Sequence, residues 1–168
     1  MSVSVRITTR SRPVRARRIA QRTDRLLAAT GFDGAELAVS LVGDHAIRSL
    51  NRVYRGKDRA TDVLSFPLFE REEIPQLRRR KARPLLGDVV VSIDTAQRQA
   101  QAYDASLEQE LERLLIHGVL HVLGHDHEFP EEARFMRREE RRLARMIGLP
   151  WPYQVGEERS RRRTPGRD

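Results

Sequence analysis

Four of the five histidines in the chain lie within eleven residues, in the segment HGVLHVLGHDH at 117–127. On a helix, His117 and His121 are one turn apart on the same face, so their imidazoles can converge on one ion. Gly124 tolerates the left-handed backbone conformation that ends a helix and reverses the chain, which would bring His127 back toward the other two. The segment therefore predicts a metal site with three neutral nitrogen ligands.

The type of ligand indicates which metal the site would take. The chain has no cysteine, so any metal must depend on histidine, aspartate or glutamate. Zinc is the first choice for imidazole ligands, although nickel, cobalt and iron accept the same donors. Three protein ligands leave one position for water, which is the catalytic arrangement of zinc. We expect one Zn²⁺ per chain, held by His117, His121 and His127, and we place His117 among the catalytic residues as well.

Two further residues of the segment could approach the metal. His125 or Asp126 could close the coordination sphere and make a structural four-ligand site. Side chains at 125 and 127 would have to point in awkwardly opposed directions to share an ion with the helical pair. We expect His125 to face substrate or solvent, and Asp126 to orient one of the ligand imidazoles.

The spacing of 117, 121, 124 and 127 is also that of the metzincin proteases, which makes a metalloprotease the competing hypothesis. These enzymes place a glutamate directly after the first histidine as the general base, and here that position is Gly118. Phosphodiester hydrolysis can proceed without that glutamate, because zinc lowers the pKa of a bound water to about 7. The glycine therefore favours a nuclease over a protease.

The charge of the chain agrees with a polyanionic substrate. There are 32 basic and 24 acidic residues, a net charge of +8, which favours a polyanion as partner. The excess is concentrated: residues 1–25 contain eight arginines and one aspartate, and residues 71–83 contain six basic residues and two glutamates. These clusters could bind phosphates, or they could be solvated surface. Because aromatic residues make up only 5%, base stacking should be sparse and sequence selectivity weak.

The elements that must position the histidines follow from the hydrophobic pattern. A chain of 168 residues with 39% hydrophobic residues is long enough for one core. We expect one domain over 1–150 and a basic, disordered tail over 151–168. Strands come first and helices later, which favours an α+β fold. The pattern predicts four strands, near 3–8, 37–41, 62–66 and 87–93.

Helices are predicted around these strands. The first runs from Pro13 to Gly31, and the second follows Asp44 as its cap to about residue 54. Three more follow Asp94 and end near 103, 123 and 147. The charged stretch 68–84 is typical of an exposed loop or hairpin. This makes about five helices around a small sheet, with the metal site on a helix and turn in the C-terminal half.

No apolar run approaches the ~20 residues that span a bilayer. The start of the chain lacks the apolar segment of a secretory signal, so we expect a cytoplasmic protein. An organellar transit peptide is an alternative, because the start is rich in arginine, serine and threonine and poor in acids. The alternation of Val3, Val5 and Ile7 instead favours a strand of the domain itself.

The histidine segment resembles the signature of the YbeY family, single-domain bacterial endoribonucleases of rRNA maturation and ribosome quality control. Other segments resemble motifs of the family in the family's order: YRGKD at 54–58, TDVLSFP at 61–67 and LGD at 86–88. The resemblance covers about residues 47–147. Two features depart from the family pattern, namely histidine at 125, where tyrosine is frequent, and additional arginine within 68–84 and 157–168. These departures concern contacts with substrate rather than the metal.

The resemblance implies a small mixed sheet surrounded by helices, with the same three histidines as zinc ligands. It also implies that Arg55 lies beside the metal and takes part in RNA cleavage, a role that suits a planar, permanently charged guanidinium. Ser65 and Asp88 are interpreted as structural, as a buried hydrogen bond and a turn cap.

The implied activity is single-strand-specific endoribonuclease action on rRNA, including the 3′ end of small-subunit rRNA. The implied partners are RNA and the small ribosomal subunit, with ribosomal proteins or an assembly GTPase as candidate protein partners. Whether water or the RNA's own 2′-hydroxyl attacks phosphorus stays open. A third hypothesis is a non-catalytic RNA-binding assembly factor whose metal only joins the helix to the turn.

Overall fold

Four strands form one mixed sheet in the computed structural model, which describes residues 2–10 and 13–151. They are β1 (Val3–Ile7), β2 (Glu36–Val42), β3 (Val63–Pro67) and β4 (Leu85–Ser92). Their order in the sheet is β1-β2-β4-β3. Strands β1, β2 and β4 run parallel, and β3 pairs antiparallel with β4. The predicted mixed, four-stranded α+β fold is confirmed, whereas all but the first residue of the predicted tail lies outside the described residues.

Six α-helices surround the sheet within the described part of the chain, rather than about five. They are α1 (Ala16–Ala29), α2 (Asp44–Arg55), α3 (Ile74–Arg79), α4 (Ile93–Ala102), α5 (Leu107–Val122) and α6 (Pro130–Met146). In the described residues no helix is both long enough and apolar enough to cross a membrane.

The extra helix replaces the loop that was predicted over 68–84. A turn of 3-10 helix at Arg71–Glu73 leads directly into α3. Two apolar residues hold this segment in place, because Ile74 is buried and Leu77 packs against the core. The many charged residues around them made the segment look like an exposed loop in the sequence. Pro75 occupies the first turn, where its missing N–H is not needed.

Two predicted helix starts differ from the observed ones. Helix α1 begins at Ala16, three residues after Pro13. Asp44 is the first residue of α2 and not its cap, which is Gly43. The capping oxygen comes from a different helix, because the backbone N–H of Asp44 donates to Oδ2 of Asp94 at 2.9 Å. Capping from another element depends on tertiary packing, so the local sequence cannot reveal it.

Helix α5 is the central helix of the fold and carries the first two histidines. It packs on β3 and β4 and contacts α1, α4 and α6. A capping box between Ser106 and Gln109 begins the helix. Leu111, Leu114 and Leu115 of this helix face the core and are at most 2% exposed.

Near its C-terminal end α5 approaches the sheet closely at Gly118. Ser65 Oγ on β3 donates to the carbonyl oxygen of Gly118 at 3.1 Å, which agrees with a structural role for Ser65. A Cβ atom at position 118 would lie only 2.6 Å from Cγ1 of Val89 on β4. The glycine therefore lets the histidine-bearing end of α5 sit directly on β3 and β4. Asp88 lies within β4 and is not the turn cap that was predicted.

Candidate metal centre

The structure brings together the three histidines predicted as ligands. Nε2 of His117 and Nε2 of His121 are 3.0 Å apart, on successive turns of α5. His127 lies in the segment after the helix, and its ring centroid is 5.9 Å from that of His117 and 5.3 Å from that of His121. One ligand nitrogen from each residue lies within 4.8 Å of the others. No other group of three potential ligands was found in residues 2–10 and 13–151.

The turn that returns His127 to the helix depends on Gly124, as predicted. Its φ of +88° is left-handed, and the backbone N–H of His125 donates to the carbonyl of Leu120 at 3.0 Å. This hydrogen bond closes the C-terminal end of α5. The role predicted for Asp126 is not what the hydrogen bonds show: its Oδ1 accepts from the backbone N–H of His127 at 2.7 Å. Asp126 therefore orders the turn rather than a ligand imidazole.

The carboxylate that does contact a ligand imidazole is Glu140 on α6. Its Oε1 lies 2.8 Å from Nδ1 of His117, and the residue is 8% exposed. A carboxylate at Nδ1 keeps the proton on that nitrogen, so the lone pair of Nε2 points toward the other histidines. Glu140 was not predicted from the sequence, although one signal was available: it shares the buried face of α6 with Met136 and Leu143. An acid within an apolar helical stripe indicates a buried partner.

The donors fit a small divalent metal that prefers nitrogen ligands. Burial, together with the neighbouring charges of His117 and His127, lowers the pKa of His121 to about 4. His121 is therefore neutral near pH 7, which is the form that binds metal. Two nitrogens on a tetrahedral zinc with bonds of ~2.0–2.1 Å would lie ~3.3 Å apart, close to the 3.0 Å between His117 and His121. His127 is exposed, so the centre is open on its side.

His125 does not join the cluster. Its ring stacks on Phe135 of α6, with centroids 5.4 Å apart and planes inclined by 16°. Burial lowers the pKa of His125, so its ring too is neutral near pH 7. The residue lines the same groove as the three histidines, and α6 covers one face of its ring.

The histidines line a groove of about 730 Å³. We call this the metal groove; its basic residues are Arg55, Lys57, Arg59 and Arg71. Its acidic residues are Asp62, Glu70 and Asp126. Within residues 2–10 and 13–151, Arg55, Lys57 and Arg59 form no ion pair, whereas Arg71 pairs with Glu132 at 2.7 Å. Three cations that form no ion pair within the described residues therefore line the groove beside the histidines, together with the three acids.

Arg55 is held against the wall of the metal groove by β3. Its Nη2 donates to the carbonyl oxygen of Ser65 at 2.9 Å, and its guanidinium lies 6.0 Å from the ring centroid of Phe66. Because the residue is exposed, the other N–H groups of the fork point to space that a ligand can occupy. The structure thus brings Arg55, at the end of α2, to the same groove as the three histidines.

Three arginines of the two predicted phosphate-binding clusters contact other parts of the fold instead. Arg22 forms a largely buried ion pair with Glu112, and Arg25 donates to the carbonyl oxygen of Met146. Arg78 donates to the carbonyl of Thr30. From the two clusters, only Arg71 lines the metal groove in the part of the chain that the structure describes. The other groove cations come from residues 55–59, a short basic segment outside both predicted clusters.

Position 118 cannot supply the base of a protease. A side chain there would point at Val89 and Ser65 of the sheet, away from the open side of the histidine cluster. The competing protease hypothesis therefore lacks both the glutamate and the room for one.

The family model and the related proteins that match this chain all belong to one family. Residues 5–148 match the family model described as Endoribonuclease YbeY. The Endoribonuclease YbeY of an Anaeromyxobacter species is 52% identical over 134 residues, which is 80% of this chain and 66% of the relative. That of Aquifex aeolicus is 42% identical over 144 residues, 84% of this chain and 91% of the relative.

Length and fold complete the comparison. The chain spans just under two thirds of the two Anaeromyxobacter relatives, at 66% and 65%, and 38% of the one from Myxococcus xanthus. The solution structure of a Thermotoga maritima protein superposes with a TM-score of 0.59 at 24% identity and 99% coverage of both chains, which supports the fold. Because the family model covers most of the chain and these relatives are 42–52% identical to it, the chain belongs to the YbeY endoribonuclease family.

Proposed function

We propose that this protein is a zinc-dependent endoribonuclease that cuts single-stranded RNA and acts in the cytoplasm on rRNA, including the 3′ end of small-subunit rRNA. The observation that carries the proposal is the convergence of His117, His121 and His127 in a groove that is also lined by three basic side chains without an ion pair in the described residues. Family membership supports RNA as the substrate.

The ligand residues are prepared for the metal in three ways. Glu140 holds His117 in one tautomer, burial keeps His121 neutral, and the Gly124 turn presents His127. A zinc ion, when bound, acts as a Lewis acid that polarises a phosphate oxygen and acidifies water. Because the buried side of the cluster is filled by Glu140 and the sheet, substrate must approach from the exposed side, at His127.

Arg55 is the residue that we propose binds the scissile phosphate beside the metal. One of its nitrogens is occupied by the Ser65 carbonyl, which orients the fork and leaves other N–H donors for phosphate oxygens. Charge increases on those oxygens as the new bond to phosphorus forms, and a fixed guanidinium stabilises that charge. Lys57 and Arg59 then bind flanking backbone phosphates.

In either route of cleavage an oxygen forms a bond to phosphorus while the bond from phosphorus to a ribose oxygen breaks. If water attacks, the product carries a linear phosphate and the leaving oxygen takes up a proton. If the RNA's 2′-hydroxyl attacks, the first product is a 2′,3′-cyclic phosphate. Analysis of the product ends distinguishes the two routes.

The partners that we propose are the small ribosomal subunit, together with ribosomal proteins or an assembly GTPase. The metal groove has few aromatic side chains, with Phe69 the one in its lining. Recognition of bases by stacking is therefore sparse, and the choice of cleavage position must come from the ribosomal context.

The experiment is to quantify bound metal and then to measure rRNA cleavage with and without a chelator. Arg55→Ala should lower the rate about a hundredfold, the effect of removing one donor to developing charge, with bound metal unchanged. Arg52→Ala is the matched control, because Arg52 lies on the same helix but does not line the metal groove. His117→Ala should lose both metal and cleavage.

Three results would overturn the proposal. The first is wild-type cleavage by a His117→Ala protein shown to be free of metal. The second is chelator-sensitive peptide hydrolysis without RNA cleavage, which would indicate a protease. The third is full biological activity of Arg55→Ala, which would indicate a non-catalytic assembly factor.

A further inference from the structure

Five arginines lie along one exposed face of α6. They follow one another at intervals of three, one, three and four residues, so that they share one side of the helix: Arg134, Arg137, Arg138, Arg141 and Arg145. We call this row the arginine stripe. At 1.5 Å per residue it extends for about 16 Å.

The positive charge of the arginine stripe is not balanced within the described residues. None of its five members forms an ion pair there, whereas Arg142 on the same helix pairs with Glu139 at 2.8 Å. Like charges at these helical spacings repel one another. Helix α6 is held to the core by its opposite face, through Met136, Leu143 and Ala144. The stripe is therefore an exposed surface whose charges stabilise no ion pair within the described residues.

Neighbouring cavities with shared lining residues lie between the arginine stripe and the metal groove. A cavity of about 610 Å³ is lined by Glu131 and four arginines of the stripe. The next cavity, of about 230 Å³, also includes Glu131, and it shares Arg71, His125 and Asp126 with the metal groove. The stacked rings of His125 and Phe135 lie in this connection, and the guanidinium of Arg138 lies 5.8 Å from the centroid of Phe135.

We propose that the arginine stripe binds backbone phosphates of the RNA strand that passes through the metal groove, a role that rests on the proposed function. A length of about 16 Å corresponds to roughly five phosphates at the ~3.4 Å spacing of a stacked strand. Phe135 is 48% exposed, so a base can stack on it between the two sites. Of the three acids that line the connecting cavity, Glu132 is paired with Arg71. Glu131 and Asp126 remain as charges unfavourable to a phosphate.

The same charge could attract an acidic protein surface. The neighbouring cavities between the stripe and the metal groove favour RNA, because a strand held at the histidines must leave along one of the groove's open ends. The exposed aromatic ring in the connection favours RNA too, since a stacking platform beside arginines is typical of single-strand binding.

The test compares two triple variants that lose the same charge. The stripe variant is Arg134→Gln/Arg137→Gln/Arg141→Gln, and glutamine keeps the helix favourable. The control variant is Arg6→Gln/Arg15→Gln/Arg17→Gln; these arginines are exposed and line none of the three cavities. Both are loaded with zinc and titrated with a 2′-O-methyl RNA of about 20 nucleotides, confirmed to be intact afterwards, over a range of salt concentrations.

The stripe variant should bind this RNA at least tenfold more weakly at about 0.1 M salt, and its log–log salt slope should be smaller by about 2, or ~0.7 per lost phosphate contact. The control variant should stay within about threefold of the wild type. An oligonucleotide of about five residues, long enough only for the metal groove, should be cut equally by all three proteins.

Two results would overturn the inference. The first is unchanged RNA affinity of the stripe variant, which would indicate an acidic protein as the partner of the stripe. The second is a loss of RNA affinity in the control variant equal to that in the stripe variant. Failure of the proposed function looks different, because the wild type itself would then not cut the short oligonucleotide. A stripe variant that loses affinity beside an inactive wild type would support the binding surface while refuting the nuclease.

Discussion

Replacing Gly118 by alanine should destabilise the protein, although alanine is the better helix former. In a helix interior alanine is favoured over glycine by about 1 kcal/mol. Here the new Cβ would lie 2.6 Å from Cγ1 and 3.3 Å from Cγ2 of Val89. Carbon atoms in contact are normally ~3.5–4.0 Å apart, so the closest pair would overlap by roughly 1 Å.

Val89 cannot easily move away from the added methyl group. It is 0% exposed and lies in the middle of β4, between Val39 of β2 and Ser65 of β3. Its β-branched side chain is restricted in χ1, and its backbone is held by a strand on each side. Overpacking of this kind costs ~1–3 kcal/mol, and the short contact favours the upper end. Subtracting the helix preference leaves a net loss of about 2 kcal/mol in the free energy of unfolding.

Urea unfolding and thermal melting measure this loss. A loss of about 2 kcal/mol should lower Tm by roughly 4–8 °C for a domain of this size. Val89→Ala is the companion variant, because it removes both methyl groups that the new Cβ would meet. The double variant should lose at least ~1 kcal/mol less stability than the sum of the losses of the two single variants. The reasoning is refuted if Gly118→Ala is as stable as the wild type, or if the two losses add.

Three further predictions follow from the contacts around the site. Glu140→Gln should weaken zinc binding ~10–100-fold by calorimetry, because it removes the charge at His117 Nδ1; the neighbouring control Glu139→Gln should not, and equal affinities would contradict this. Gly124→Ala should lower the free energy of unfolding by more than ~1 kcal/mol and should also lower the affinity for zinc. The left-handed φ at position 124 disfavours a side chain, and the new Cβ would lie 2.9 Å from Cγ of Arg71. Asp44→Asn should lose about 1 kcal/mol at pH 7 and match the wild type in acid. Burial raises the pKa of Asp44, but hydrogen bonds from three side chains outweigh the effect of burial, so the pKa is lowered overall. The stabilisation by Asp44 is therefore present above pH ~4 and is lost as the pH falls through the folded-state pKa. A stability difference between variant and wild type that persists in acid would contradict this assignment.

The convergence of the three histidines could be predicted from the sequence because their arrangement is local. His117 and His121 lie one helical turn apart, and Gly124 permits the turn that returns His127. Short-range geometry of this kind depends on helix pitch and backbone sterics, which any chain shares. The four strands were predictable for the same reason, since alternation along a strand reflects one buried face. The catalytic role of Arg55 stays a prediction, although the structure places it in the metal groove.

The tertiary structure alone decided which distant residues meet at the site. Glu140 reaches His117 across 23 residues of sequence, and Gly118 faces Val89 on a strand nearly thirty residues earlier. Which arginines face the metal groove was likewise decided by packing, because one arginine resembles another until its neighbours are known. The physical reason is that spacing along the chain determines which side of a helix or strand a residue occupies, whereas the contacts of that side depend on how the elements pack against each other.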